Sequence, residues 1–471
     1  MNRILATASV AAIALLLTAC GGSGGTGKPP ELRVFHASPD APPVNVIVNG
    51  NVVAGDVDYT IGSGFLQVPR TTQVQIEAIL PGDDSIVIDE ILTLDRRTEY
   101  TAIAVGDVAA PISALVVANP SNVAIPAGNF RAQVVHVAPD APDVDVYVTA
   151  FDADLAISVP VNQAVEPFGP LAYQASTARV DVPEGDYQIR VTVAGDPAAV
   201  VYDSGEISLA AGVDLLIAAV ENTGPGTTPI QLVTLDGAGS SDLLDVATPA
   251  AAYAVHASPD AGNVDILADA DATPADDAIP LAIDVPFTAS CAIEAIPAPA
   301  GYAINITAPG DPTPVLSFPV TVEKADEATA IVTGFALSTP VLQQIELVSN
   351  TRSVITETKL RVTHASPSTD NVDIYLLEDG TDFNDPDVGP TFGDVPFTFD
   401  TGIQSVAPGI YDIYVTPAGS KAIIAIEAQD FPLNGGQVLD VIARDPQGDG
   451  SEGPLPQLIV VDYATIGACQ V

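Results

Sequence analysis

The four histidines of this chain each lie in a variant of one phrase: His36 in RVFHASPDAPPVNVIV, His136 in QVVHVAPDAPDVDVYV, His256 in YAVHASPDAGNVDILA and His364 in RVTHASPSTDNVDIYL. In the first copy Ser38 and Asp40 follow the imidazole, and in the third Ser258 and Asp260, so a nucleophile, a base and an acid stand close together. A Ser-His-Asp site, however, brings its three groups together from separate chain segments, with the imidazole between the other two. Here they follow one another along one strand and turn, and the second copy has Ala138 in place of the serine. One imidazole per copy with no cysteine beside it is also a poor zinc set.

The same residues have a structural reading. Strand alternation puts His36 on the face of Val34, so the ring is expected to point inward at the end of a first strand. The following Ser-Pro-Asp-Ala-Pro sets a turn, with Pro39 fixing φ and Asp40 accepting from nearby amides. A buried neutral imidazole needs a partner on each nitrogen. Asp40, Asp140 and Asp260, or the backbone of the turn, are the natural ones. The fourth copy has Ser368 at that place and Asp370 two residues on, which favours a histidine–backbone bond as the common element. His36, His136, His256 and His364 are thus expected to be buried turn-locks.

Acidic loops are the other candidates. Asp379, Asp382, Asp385 and Asp387 crowd one loop, Asp269 to Asp277 another, and Asp140, Asp143 and Asp145 follow the second histidine. Calcium takes several oxygen ligands from such loops, and the Asp379–Asp387 loop is the best candidate for it. None matches the EF-hand spacing. A chain with 60 acidic and 15 basic residues, net charge −45, forms acidic loops by composition alone. That charge repels nucleic acid and anionic membrane surfaces, so neither is an expected binding target. No cofactor is implied. The chain has no phosphate-binding glycine loop, no nucleophile elbow, no CxxC and no tryptophan, and the scarcity of aromatics weakens a carbohydrate-binding role.

What positions these residues is a repeated unit. A second block recurs as VDVPEGDYQIRVTV, AIPAPAGYAINITA and SVAPGIYDIYVTPA, with LQVPRTTQVQIEAI as its counterpart in the first unit. Val44, Val46 and Val48 alternate with Asn45 and Ile47, as Tyr187, Ile189 and Val191 do with Gln188 and Arg190, a period of two. With 41 prolines and 37 glycines punctuating them, the blocks read as strands rather than helices. The expected fold is all-β: four tandem Ig-like antiparallel sandwiches, over 31–125, 129–246, 250–350 and 359–471, each of about seven or eight strands. Short linkers predict a semi-rigid rod of beads. The Gly-x-Tyr of the second block in units two and four reads as an analogue of a tyrosine corner, its phenol tied back to backbone. Cys291 and Cys469 fall in different units, either as a bridge between the last two or as two packed thiols.

Residues 1–19 read as a leader: Arg3, then an apolar run from Ile4 to Leu17 of signal-peptide length. Leu17-Thr18-Ala19-Cys20 resembles a bacterial lipobox, which implies diacylglyceryl and acyl attachment at Cys20 and a Gly/Ser tether over 20–30. Gly21 after the cysteine resembles the pattern for delivery to the Gram-negative outer membrane. The histidine phrase, the second block and the lipobox together resemble the domain-of-unknown-function 4397 family, tandem β-sandwich modules of envelope proteins. The resemblance implies fold and location and carries no activity. The expectation is a non-enzymatic lipid-anchored envelope protein, a spacer or adhesin-like scaffold. A calcium- or ligand-binding envelope module, or an enzyme with a site in one specialised unit or between units, is the alternative.

Overall fold

The structure, a computed structural model, describes residues 27–110, 112–163, 170–270, 278–448 and 452–471. Cys20 and the leader lie outside the described residues, as do Asp271, Asp276 and Asp277. Unit 1 comprises β1 (Glu31–Ala37), β2 (Val44–Val48), β3 (Asn51–Val57), β4 (Leu66–Gln67), β5 (Thr71–Ala78), β6 (Ser85–Thr93), β7 (Thr98–Val105) and β8 (Ser113–Pro120). Unit 2 has β9 (Asn129–His136), β10 (Val144–Thr149), β11 (Val180–Pro183), β12 (Gly185–Val193), β13 (Val200–Leu209), β14 (Asp214–Glu221), β15 (Ile230–Leu235) and β16 (Ser240–Leu243). Unit 3 has β17 (Ala250–His256), β18 (Val264–Asp269), β19 (Ile279–Val285), β20 (Ser290–Ile296), β21 (Ala300–Thr307), β22 (Pro314–Val322), β23 (Glu327–Thr333) and β24 (Gln343–Val348). Unit 4 has β25 (Thr358–His364), β26 (Val372–Glu378), β27 (Phe392–Val395), β28 (Gln404–Val406), β29 (Gly409–Pro417), β30 (Ile426–Leu433), β31 (Val438–Arg444) and β32 (Gln457–Asp462).

Each unit is a two-sheet sandwich. In unit 1 the sheets run β4-β1-β7-β8 and β3-β2-β5-β6, and units 3 and 4 repeat that order strand for strand. Among the described residues, unit 2 shows no counterpart of β3, has two 3₁₀ turns in that stretch, and adds β16 beyond β15. Between the strands of the described residues, pairing is antiparallel except once per unit, where the histidine strand has a parallel neighbour: β1 with β7 over Glu31–Ala37, β9 with β14, β17 with β23 and β25 with β31. The chain crosses between sheets after the histidine turn and returns to the first sheet in the original direction, so that pair is parallel. Alternate residues fill each interior, as with Leu32, Val34, Val44, Val46 and Val74 in unit 1.

The units are not separate beads on a rod. The outer faces of the two histidine-strand sheets of units 1 and 2 lie against each other. Phe35, Ile103, Val105 and Val117 of unit 1 form one buried cluster with Val135, Leu216, Val220, Val233 and Leu235 of unit 2. Units 3 and 4 pair through Val255, Ile331, Ile345 and Leu347 against Ile442, Ile459 and Val461. Each such side chain contributes about 1.5–3 kcal/mol when fully buried, which makes these seams rather than hinges. The rod expectation failed because it weighed linker length and not the second apolar face of the strands. Polar contacts reinforce the seams: Tyr59 Oη donates to Glu221 O at 2.7 Å, and Arg179 pairs with Glu99 at 2.9 Å.

Two further joints tie the molecule. Arg352, between units 3 and 4, is buried against unit 1 and donates to Pro39 O and Ala41 O at 3.1 and 2.9 Å while pairing with Asp58. The C-terminal residues return to unit 3, where Cys469 is disulfide-bonded to Cys291, with Cα atoms 4.8 Å apart. Ala292 N donates to Gly467 O, Cys469 N to Ala292 O and Ile283 N to Gln470 O, all at 2.8–2.9 Å, so the tail closes the edge between β19 and β20.

Candidate functional site

His136, His256 and His364 end their strands and His36 is the last residue but one of β1, all with at most 2% of their surface exposed. The geometry is the same each time. Nε2 lies 3.1, 3.1, 2.6 and 3.2 Å from the carbonyl oxygen six residues on, that of Pro42, Pro142, Gly262 and Asp370. A carbonyl only accepts, so Nε2 carries the proton. Nδ1 accepts from the amide two residues on, that of Ser38, Ala138, Ser258 and Ser366, at 3.3–3.4 Å. An aromatic ring packs edge-on against each imidazole: Tyr59, Tyr173, Phe287 and Phe397, with centroids 6.0–6.3 Å away. The residue after each aromatic, Thr60, Gln174, Thr288 or Thr398, has φ between +63° and +74°. Its amide donates to the histidine carbonyl at 2.8–2.9 Å. Burial lowers the pKa of all four rings. An imidazole in this setting is neutral, one tautomer, with both nitrogens engaged by main chain.

The neighbouring serine and aspartate serve the same turn and do not face the ring. Ser258 Oγ donates to Gly334 O at 2.8 Å, and Ser38 Oγ to Gly106 O. Asp40 Oδ1 accepts from Val108 N at 2.9 Å and Asp260 Oδ1 from Ala336 N at 2.7 Å, so the turn is laced to the loop after the seventh strand. Unit 4 reverses the arrangement. Asp445, in the loop after β31, accepts from Ser368 N at 3.1 Å and from the hydroxyls of Ser366 and Ser368. Asp140 takes a different place, beside Asp107, Asp40 and Glu221 where units 1 and 2 meet. Burial first, then those carboxylates, pushes Glu221 up to about 6.

Reading single copies missed a second anchor. One residue on the second strand ties that strand to its neighbours in every unit. Asp265 accepts from Asp284 N and Gly310 N, and Asp373 from Asp394 N and Gly419 N, at 2.7–3.2 Å. Asp145 accepts from Gly195 N and from the Asn162 and Gln163 amides. Asn45 accepts from Asp56 N in unit 1. Asp56, Asp284 and Asp394 have φ of 53–57°, a conformation Asp tolerates better than most. The signal was present in the repeats, which keep Asp or Asn at this place four times. The phenols of Tyr187, Tyr302 and Tyr411 donate to the carbonyls of Pro183, Pro297 and Ala407 at 2.8–2.9 Å. In unit 1 the Thr72 hydroxyl bonds Pro69 O at 2.7 Å in the same manner.

The acidic loop of unit 4 is organised around a cation of the chain itself. Lys421 Nζ donates to the carbonyls of Phe383, Asp385 and Val388 at 2.6, 3.1 and 2.6 Å. It lies 4.9 Å from the Phe383 ring centroid and 5.2 Å from that of Tyr375. Asp382 and Asp385 accept from the amides of Asn384 and Asp387, ordinary turn contacts. Among the described residues no group of three or more His, Cys, Asp or Glu side chains is placed to hold a metal ion.

Among the described residues, units 4 and 1 each hold a cavity between their sheets. That of unit 4, about 190 Å³, is lined by Leu360, Phe392, Ile413, Thr391, Thr401 and Gln404 among others. Its polar groups hold one another: Thr401 Oγ1 accepts from Val362 N, Thr391 Oγ1 from Leu376 N, and Gln404 donates to Thr401 O. That of unit 1, about 70 Å³, is almost wholly apolar. No helix among the described residues is long and apolar enough to cross a membrane.

A family model described as "Domain of unknown function (DUF4397)" matches residues 30–147 and 250–375, a little over half of the chain. No curated protein matches it.

Proposed function

The chain belongs to the DUF4397 family, and from that premise we propose that it is a non-enzymatic, lipid-anchored scaffold of the bacterial cell envelope. Its sandwiches act as a spacer and as an adhesin-like binding surface. One observation carries the non-enzymatic reading. The motif with the residue types of a reactive site spends both ring nitrogens on turn backbone, and Ser38, Ser258, Asp40 and Asp260 on backbone of the loop after the seventh strand. Divergent tandem copies suit a module valued for its shape and its edges.

The anchoring half of the proposal rests on Leu17-Thr18-Ala19-Cys20 and the Gly/Ser stretch after it. The test is fractionation of cells expressing the full chain or its Cys20→Ser variant, with labelled fatty acid in the medium. The native chain is expected in the outer-membrane fraction carrying label, and the variant unlabelled and released. An unlabelled native chain, or a variant that stays with the membrane, would refute the anchor. A substrate turnover abolished by His36→Gln at unchanged melting temperature would refute the scaffold.

A further inference from the structure

We propose that the open edge of unit 1, between β6 and β8, is a strand-addition site for an extended segment of a partner protein, alternately apolar and basic. The argument starts from unit 2, which closes the same edge with its own chain. There β16 pairs antiparallel with β15, Leu232 opposite Leu243 and Leu235 opposite Ser240. The chain then crosses to the other sheet, where Val246 N donates to Asp203 O at 2.7 Å and Asp203 N to Asp245 Oδ2 at 2.7 Å. Beneath this seal Leu243 packs on the core, and its carbonyl receives the hydroxyl of buried Tyr202 at 2.8 Å. Residues 240–246 thus bridge both sheets of the sandwich. The C-terminal tail treats the opposite edge of unit 3 in the same way.

Among the described residues, unit 1 has no such segment. β8 and β6 are the last strands of their sheets. The eight residues from Ser121 to Gly128 lead directly into β9, and the Val123 and Ala124 carbonyls accept from Arg131 of unit 2 at 2.8 and 3.3 Å. The linker is therefore held on unit 2. Behind the unsealed edge lies the apolar cavity, lined by Val34, Ile76, Ile88, Leu92, Ala114 and Val116 among others. Of its lining, Val116 of β8 is 45% exposed, and β6 exposes Ile86, Val87 and Ile91 outside that lining by 50–70%. A long apolar edge strand with an unpaired backbone is a template for another strand.

Size and charge choose the occupant. A cavity of about 70 Å³ is roughly half the one of about 150 Å³ that accepts benzene, so it takes the end of a side chain and not a lipid acyl chain. Glu90 stands at the mouth, opposite Val74, where unit 3 has Phe318 opposite Ile304. With Glu90 there and a chain of net charge −45, a basic strand is favoured and a second copy of this chain is repelled. The inference rests on the scaffold reading in one respect, that unit 1 holds a partner and does not turn over a substrate.

The test uses the full chain and two fluorescein-labelled peptides: residues 239–247, and the same segment with Asp242→Lys and Asp245→Lys. Saturable binding of the lysine peptide is expected by anisotropy, at least ten-fold tighter than that of the acidic one. Slowed amide exchange over Ser113–Pro120 should accompany it. Ala114→Phe, which fills the cavity, and Glu90→Lys should each weaken binding at least ten-fold. Val116→Lys at the exposed rim should do the same, and keeps the test open should Ala114→Phe not fold. Absence of binding at millimolar peptide, binding indifferent to these variants, or exchange in β8 left unchanged would overturn the proposal. So would a fluorescent fatty acid that displaces the peptide, or dimerisation of the chain alone that slows the same amides. None of these readouts touches Cys20 or turnover, so failure here leaves the scaffold reading standing.

Discussion

Acid should loosen the two unit pairs by different amounts, and the difference can be worked out from the buried groups. Each histidine is neutral when folded, with its pKa below the ordinary value of about 6.5. Between the folded and unfolded values the unfolded chain binds the extra proton, so stability rises with pH there and is lost as pH falls below about 6.5. Each ring contributes a slope of up to about 1.4 kcal/mol per pH unit. The shared cores lead us to expect units 1 and 2 to melt together, and units 3 and 4 together. Two rings then give each pair up to about 2.7 kcal/mol per pH unit. Glu221 opposes this in the first pair only. Its folded pKa is raised to about 6, so it binds its proton more tightly when folded and stability falls as pH rises from about 4.5 to 6. Below pH 6 Glu221 takes at most about 1.4 kcal/mol per pH unit, an upper bound for so partly exposed a group, off the slope for units 1 and 2, which drops toward one proton. The assay is calorimetry of the full chain from pH 7.5 to 5, beside His256→Gln/His364→Gln and Glu221→Gln. The steeper transition should lose its pH dependence in the first variant, and the shallower one should steepen in the second. A units 3 and 4 transition that does not move between pH 6.5 and 5, or whose slope survives removal of both histidines, would refute the neutral-lock account.

Other perturbations test the seams. A Cβ on Gly62 would stand 2.7 Å from Leu235 Cδ2 and 3.4 Å from Phe35, so Gly62→Ala should cost units 1 and 2 about 1–3 kcal/mol and leave the other transition in place. Lys421→Ala leaves three carbonyls without their ammonium donor; unit 4 should lose about 2–4 kcal/mol, seen as a lower melting midpoint. Millimolar calcium should leave the native midpoint unmoved, and a rise would show that the loop takes the ion despite Lys421. Cys469→Ser opens a bridge spanning 178 residues and should cost units 3 and 4 about 2–4 kcal/mol, with exchange in β20 speeding up; unchanged exchange there would mean that the tail is held by its backbone bonds alone.

Much of the architecture was legible because it is written four times. Repetition located the histidine strand, the turn and the Gly-x-Tyr corner, and the irregular Ser368 pointed to backbone as the imidazole's partner. Two things resisted. The bridge between Cys291 and Cys469 depends on where the tail returns, and no local pattern carries that. The role of Lys421 depends on a loop 36 residues away folding over it, so the cluster of aspartates stood out and the single lysine did not. Cys20 stays a reading of the sequence, outside the described residues.

The pairing of units was in the sequence, under a different sign from the one followed. A strand with one face in a core and one in water alternates, as Thr71–Ala78 does. A strand buried on both faces reads as a continuous apolar run. LLIAAV within β14 is buried at every residue, and VLDVIAR of β31 is buried throughout. These are β14, the sixth strand of unit 2, and β31, the seventh of unit 4, each running parallel to the histidine strand at the centre of the first sheet. That position explains the composition. The centre of the first sheet faces its own core on one side and the neighbouring unit on the other, so its apolar residues lose their alternation. It also explains why the histidine sits there. At the end of a strand covered on both sides, main chain has no water to turn to. A ring that donates on one nitrogen and accepts on the other satisfies two turn groups at once, which no carboxylate or amine can do. The recurrence of histidine and the face-to-face pairing of units are then two consequences of one cause: a first sheet with no face left for solvent.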